Sequence, residues 1–400
     1  MSCTNSLCKA NVLLCGLAYT SRTETIEDYL KGKVKSLTVI ALSSCFIDRN
    51  FSSCRVYEEG VLKKSFKVAN FRIKTYTWYK QPLIPLVFLI YFLSICSTLL
   101  KLNKKHDLYI GVSYSFGLWG ALLKKLGIVK RLIYYSIDYY IPEYKFDLNN
   151  LYLILLNIVE RFIVRMADFV WDISYQIQTY RQKIGKIRMG TYRNMVVPLG
   201  YSSHVKRFKT MSEMKRWEIG FVGSISANQG LQLLVEAMPF VLSKLPRVRV
   251  TIIGQGPFLA QLKDLVRQKE MNHIFNFLGF IKDESKMLDI LSECAIAVAL
   301  YSDSIDNKNI ICADVGKPKL YALVGLPIIA TKYCGLAEAI KDNKAGVVVD
   351  YDKHDLGQVI VSLLCKDETL KEYRYNSSKM GEQFIADNIF NAVFERMNLS

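Results

Sequence analysis

The feature that most constrains this chain is an alternation that runs twice. Short apolar, β-branched runs of strand length give way to helix-length segments, the pattern is interrupted once, and then it restarts. In the first half, Asn11–Leu17, Ser36–Leu42, Asp107–Val112, Arg131–Ile137 and Phe169–Ile173 have the continuous apolar character of strands buried on both faces. Phe116–Leu126, Leu151–Ala167 and Ile177–Gly185 read as helices among them, and Met195–Gly200 closes the half. Ser202–Arg216 is polar, basic and non-periodic, and reads as a linker. Strands are then predicted at Glu218–Val222, Val248–Ile253, Ile274–Leu278, Ile296–Ala299, Pro327–Ala330 and Ala345–Val349, separated by helices such as Gln229–Leu245 and Pro257–Lys269. Strand–helix alternation builds parallel sheets covered on both faces. The expected fold class is therefore α/β, with two Rossmann-like domains, and 400 residues suit two cores better than one. Their expected extents are 1–205 and 206–375, with a C-terminal helix of about 375–400 packing back on the first.

Charge separates the halves. Residues 1–216 carry 33 Lys and Arg against 14 Asp and Glu, whereas residues 217–400 carry 20 against 22. Only the first half therefore seeks an anionic partner. Nucleic acid is not expected, because no paired-cysteine finger, aromatic ribonucleoprotein signature or basic zipper accompanies the charge. An anionic membrane surface is preferred, met by a patch of Lys101, Lys104, Lys105, Lys124, Lys125, Lys130 and Arg131. Pro82–Leu100 is uncharged and long enough to cross a bilayer. Its prolines and its hydroxyl and thiol residues favour a helix buried in the first domain or dipping into one leaflet, with a true span as the alternative. Ten scattered cysteines without C-x-x-C suggest buried thiols in a reducing compartment. Together these readings place the chain in the cytoplasm, peripheral on the inner face of the membrane. The four histidines lie far apart, and no metal site is expected.

In open parallel sheets, ligands gather at the carboxyl ends of strands. Glu218–Val222 is followed by Gly223-Ser224-Ile225-Ser226 and then Gln229-Gly230; Val248–Ile253 is followed by Gly254-Gln255-Gly256-Pro257. Glycine at a strand end lets backbone N–H groups approach a phosphate, and the next helix N-terminus adds partial positive charge. Either loop alone also fits a plain strand-to-helix turn. As a set, FVGSISANQG, VTIIGQGP, FLGFI, GKPKLYALVGLPIIAT, GLAEAI and AGVVV resemble, in order and spacing, the C-terminal domain of family-4-type (group 1) glycosyltransferases of the GT-B superfamily. DLYIGVSYSFGLWGALLKKLGI, YYSIDYY and ADFVWDIS resemble the first domain of a subset of that family.

The resemblance implies two Rossmann-like domains facing across a cleft. It further implies retaining transfer from a nucleotide-diphosphate sugar to a lipid-linked or polysaccharide-precursor acceptor, without cofactor and usually without metal. By position, Gly223 and Ser224 would face the diphosphate, Gly254 and Gly256 would shape the nucleotide floor, and Gly279, Phe280 and Ile281 would hold the base. Asp138, past the end of a first-domain strand, is the candidate for acceptor activation or donor positioning; a capping or surface role is the alternative. Two family features are missing. The usual Arg and Lys of the first loop are Ser224 and Gln229, and the usual E-x7-E pair falls on Cys312 and Leu320. Lys317 is the expected substitute cation and Asp314 the expected acid for the ribose, unless Lys317 and Lys319 lie on a solvated face. The losses motivate an alternative, a catalytically silent GT-B-fold partner in a polysaccharide-assembly complex; a sugar-nucleotide epimerase is a third option. Ser302–Ala313 is expected to help choose the sugar, and Asp168, Asp172, Ser174 and Asp352 to serve structure.

Overall fold

The computed structural model describes residues 7–18, 21–45, 52–70, 83–142, 147–302 and 314–397. Two compact units emerge. One takes the described residues of Met1–Gly200 and of Ile389–Ser400, and the other those of Tyr201–Asn307 and Asp314–Asn388. The first contains β1 (Asn11–Leu17), β2 (Ser36–Leu42), β3 (Ser53–Glu58), β4 (Val61–Lys67), β5 (His106–Val112), β6 (Val129–Ser136), β7 (Phe169–Asp172) and β8 (Asn194–Val196). They form one sheet in the order β4-β3-β2-β1-β5-β6-β7-β8. The strands from β2 to β8 in that order run parallel, and β3 and β4 add an antiparallel hairpin at the edge.

Sequence periodicity did not predict that hairpin, although its signals are present. Cys54 and Val56 of β3 alternate inward, and Glu59 and Gly60 turn the chain with positive φ at both residues. β4 is almost wholly exposed and carries Lys63, Lys64 and Lys67, charges that keep an open sheet edge from pairing with another chain.

The helices of this unit are α1 (Ser21–Leu30), α2 (Ile84–Leu102), α3 (Tyr114–Lys125), α4 (Leu148–Met166) and α5 (Tyr175–Lys183). α2 opens with Pro85 in its first turn and stops at Asn103, which adopts the left-handed conformation. Its Val87, Ile90, Tyr91, Ile95 face enters the core beside Phe116 and Trp119, while Leu86, Leu89, Leu93 and Leu100 stay exposed. Among the described residues it is the one helix long and apolar enough to cross a membrane, and 33% of its most apolar stretch is buried. A charged group organises the deeper core. The Arg181 guanidinium of α5 donates to both Asp172 oxygens of β7 at 2.6 and 2.9 Å and to Glu160 of α4 at 2.9 Å. Asp168 accepts from the Leu132 amide and the Lys124 ammonium. Ser174 occupies the N-cap position of α5 without the expected cap bond. Cys8 is disulfide-bonded, a departure from the expectation of thiols throughout.

The second unit contains β9 (Lys215–Val222), β10 (Arg249–Ile253), β11 (Phe275–Gly279), β12 (Cys294–Ala299), β13 (Ile328–Thr331) and β14 (Gly346–Val349), in the order β11-β10-β9-β12-β13-β14. Every pairing is parallel. Strand order reverses between β9 and β12, the switch point where such sheets take ligands. Its helices are α6 (Leu231–Lys244), α7 (Leu259–Gln268), α8 (Glu284–Ser292), α9 (Gly316–Leu323), α10 (Ala337–Asp342), α11 (Lys353–Cys365), α12 (Asp367–Gly381) and α13 (Ala386–Arg396). α6 starts later than its apolar pattern suggests, because Gly230 takes φ +69° and a short 3-10 turn precedes it. Asp352 caps α11 by accepting from the amides of His354 and Asp355. Arg374 of α12 is buried and donates to the carbonyls of Lys209, Ser292 and Cys294, anchoring that helix to the sheet. From Ile389 onward α13 belongs to the first unit, where Phe394 stacks on Tyr29 and meets Trp171 edge-on.

Candidate functional site

The carboxyl ends of β9, β10 and β11 are stitched together by backbone alone. The Gly223 amide donates to the Ile253 carbonyl at 2.9 Å, the Gly254 amide to Gly279 at 2.8 Å, and the Ile225 amide to Gln255 at 2.9 Å. Gly223 has φ +136° and Gly254 φ +144°, a region that side chains other than hydrogen scarcely enter. A Cβ on Gly254 would lie 1.9 Å from the Gly223 carbonyl oxygen, and one on Gly256 would lie 2.1 Å from that of Ile225. These glycines are thus required for the loops to touch, which makes a flat backbone surface. Gly279 differs. It needs its φ of +69°, but an added Cβ would meet only the Gln255 amide nitrogen at 3.8 Å. Ser224 and Phe280 beside this surface are exposed, and Ile281 packs partly into the core.

Lys317 comes to the same place from the first turn of α9. Its stem lies over Gly223, so closely that a Cβ there would sit 2.9 Å from Lys317 Cδ. Its ammonium donates to the side-chain oxygen of Gln229 and stands 5.4 Å above the Phe221 ring and 5.2 Å above that of Tyr301. No carboxylate pairs with it among the described residues. Burial pushes its pKa down to about 8. The amine therefore stands beside residue 229, the position at which the family's usual lysine is missing.

Two readings need correction. Lys319 is not on a solvated face: its side chain is 1% exposed and forms an ion pair with Asp314. Helix α9 turns this lysine inward, where the Phe384 ring also lies 5.2 Å from its ammonium. Asp314, expected to meet a ribose, instead neutralises Lys319. Leu320 is buried core. The expected sugar-choosing loop lies outside the described residues from 303 to 313, Cys312 included.

In the first unit, Asp138 is exposed two residues beyond the end of β6 and caps none of the described helices. Ser113, which sequence reading passed over, ends β5 with φ +79°, and its amide donates to the Tyr135 carbonyl at 2.9 Å. Such a conformation in a non-glycine residue stores strain at the strand end. The expected basic patch is smaller than seven. Lys104 pairs with Glu58 at 2.9 Å, Lys124 with Asp168 at 2.6 Å and Lys130 with Asp107 at 2.7 Å, which leaves Lys101, Lys105, Lys125 and Arg131 exposed and, among the described residues, without ion pairs. Among the described residues no three His, Cys, Asp or Glu side chains converge.

With this geometry in place, residues 202–380 match the family model described as glycosyl transferases group 1. The second domain belongs to the group 1 glycosyl transferases. The chain is also 28% identical over 173 residues to an uncharacterized glycosyltransferase of Methanocaldococcus jannaschii, covering 42% of this chain and 41% of that one. It is 21% identical over 272 residues to the putative colanic acid biosynthesis glycosyltransferase WcaL of Escherichia coli, covering 63% and 60%. The matches thus span less than two thirds of either relative. In three dimensions, Anabaena HepE in complex with UDP superposes with a TM-score of 0.65 at 14% identity, covering 97% of this chain and 99% of HepE. That likeness carries the fold from end to end: the chain has the GT-B architecture of two Rossmann-like domains.

Proposed function

We propose that this glycosyltransferase takes its sugar from a nucleotide-diphosphate donor seated on the glycine floor of the second domain. The single observation that carries the reading is Lys317. Among the described residues it is a lone cation that faces no carboxylate, held by Gln229 over Gly223 at the carboxyl end of β9. A desolvated diphosphate without a counter-charge is costly, and a preorganised ammonium with free backbone amides meets that charge. From the Gly223-Ser224 turn the Ser224 amide would contribute, the Gly223 amide being already bonded to Ile253, and Gly279 with Phe280 and Ile281 would border the base. HepE was crystallised with UDP and with UDP-glucose, which favours a uridine nucleotide for this chain as well. With the counter-charge supplied by Lys317, the proposal includes no cofactor or resident metal. Retention of configuration, a lipid-linked or polysaccharide-precursor acceptor, and Asp138 as the group nearest the acceptor hydroxyl complete it. The exposed cations of the first unit favour work at the inner face of an anionic membrane.

One observation favours the second reading, a silent partner in an assembly complex: Asp314, the acid nearest the expected ribose contact, is already ion-paired. Thermal unfolding with UDP, GDP and their sugars separates the two, because a ligand that binds only the folded protein must raise the midpoint. A rise with one nucleotide, reduced in Lys317→Gln, supports the transferase. No rise with any nucleotide at millimolar concentration supports the silent partner.

A further inference from the structure

The first unit carries a second basic feature, different in kind from the scattered lysines. A cavity of about 370 Å³ opens between the last turns of α4 and the loop joining α5 to β8. Arg161, Arg165, Lys186 and Arg188 line it, with Thr191 and Tyr192 beside them, and no acidic residue contributes. Among the described residues none of the four cations is in an ion pair. Arg161 is fixed by donating through Nε to the Gly185 carbonyl at 2.6 Å. Lys186 holds φ +52°, an unusual conformation for a lysine. Four like charges around one small space repel one another unless an anion shares it. This end of the sheet is the one where β7 and β8 begin, and so it is opposite Asp138.

The same helix supplies the other half of the argument. Along α4, Leu148, Leu151, Ile154, Leu155 and Ile158 are exposed, from 42% to 77%. Their spacing of three and four residues sets them on one face, in line with Arg165 about two turns beyond Ile158. The remaining face is buried through Leu156, Ile163 and Val164. An exposed apolar stripe ending in unpaired arginines is the pattern of a helix that lies in the plane of a membrane interface. Met189, exposed in the cavity-forming loop, adds an apolar side chain beside Lys186 and Arg188.

We infer that α4 and the α5–β8 loop form a membrane-docking face, in which the cavity takes the phosphate of an anionic phospholipid and the Leu148–Ile158 stripe meets the acyl boundary. Charge complementarity selects the occupant: a protein partner would have to supply acids, whereas a lipid supplies phosphate and hydrocarbon in the order α4 presents cation and leucine. The inference deepens the membrane part of the proposed function and rests on that part alone. It is independent of sugar transfer.

The test uses the full chain and co-sedimentation with vesicles of phosphatidylcholine alone or with phosphatidylglycerol. Three double variants are compared: Arg165→Gln with Arg188→Gln, Leu151→Ser with Leu155→Ser, and Lys101→Gln with Lys105→Gln. All six positions are exposed, and unchanged thermal midpoints show that the variants fold. A basic group near an anionic surface contributes about fivefold in partitioning. The arginine pair should therefore lose about twentyfold or more on anionic vesicles, the leucine pair should also lose binding, and the lysine pair should lose clearly less than the arginine pair. Millimolar glycerol phosphate should compete only weakly, since it lacks the acyl chain. Equal losses from the arginine and lysine pairs, unchanged binding in the leucine pair, or equal wild-type binding to neutral vesicles overturns the inference. Nucleotide binding by the same variants reports separately on the transfer reading and should not change.

Discussion

Lys317 offers the sharpest test of the site, because its chemistry ties nucleotide affinity to pH. Burial against Phe221 and Tyr301 holds its pKa near 8 rather than at its usual value of 10.5. A bound diphosphate favours the charged form and must raise that value. Below pH 8 the amine is protonated whether or not ligand is present, and affinity owes no pH dependence to it. Above pH 8 each binding event must also take up a proton, so affinity falls, approaching tenfold per pH unit. From pH 8 to pH 9 the protonated fraction of the free site drops about fivefold, and affinity should drop by the same factor. If the ligand restores the lysine fully, the total coupling is about 3 kcal/mol. Isothermal titration of UDP between pH 7 and 9.5, in buffers of differing ionisation enthalpy, measures both affinity and protons taken up. Lys317→Gln should bind roughly 10- to 100-fold more weakly at pH 7.5, the loss of one charge-assisted hydrogen bond, and its affinity should be flat above pH 8. Folding carries the opposite sign. The lysine's folded pKa lies below its unfolded one, so the unligated protein gains stability as pH rises from 8 towards 10.5 and bears the full cost of burying the ammonium below 8. Lys317→Gln should consequently be no less stable than wild type at pH 7. A wild-type slope matching that of the variant, or equal affinities at pH 7.5, would refute the role given to Lys317.

Two further outcomes follow from the packing. Gly254→Ala should destabilise the second domain by about 2–4 kcal/mol, since both φ and the Gly223 carbonyl oppose a Cβ, while Gly279→Ala should cost only about 1 kcal/mol; thermal midpoints of the two variants check the contrast. Arg181→Met strands Glu160 and Asp172 in the core and should cost about 3–5 kcal/mol near neutral pH. Burial already raises both carboxyl pKa values, so the stranded acids protonate readily and the deficit should shrink between pH 7.5 and pH 5; a deficit that grows on acidification refutes this account.

Most of the architecture could be read from the chain because buried parallel strands leave a strong trace. Val12 to Cys15 and Ala295 to Ala299 are fully enclosed, and nothing but apolar residues fits there. The β3–β4 hairpin escaped because its outer strand obeys a different rule. Val61–Lys67 faces water along most of its length, so its composition records protection of an edge rather than burial. At the site, the glycines were legible because positive φ and close backbone approach leave few other choices. The ion pair of Lys319 with Asp314 was not. Charged residues four or five apart on a helix start look alike from sequence whether they face water or the core, and only the packing around Phe384 decides.

That difference also explains how one domain can lose two expected charges and keep a cationic site. An arginine or lysine on the β9 loop would lie close to the backbone amides and need only reach forward. Lys317 instead arrives from α9, across a gap that Gly223 alone leaves open, and Gln229 supplies the oxygen that fixes its tip. The amide of Gln229 is thus the complement of the lysine rather than a vestige of one. Ser224 then needs no charge, since Lys317 already crosses the neighbouring Gly223. Position 229, which looks like a plain loss in the linear sequence, is in space the partner of a cation, and a motif defined by spacing along the chain cannot register a charge supplied 88 residues away.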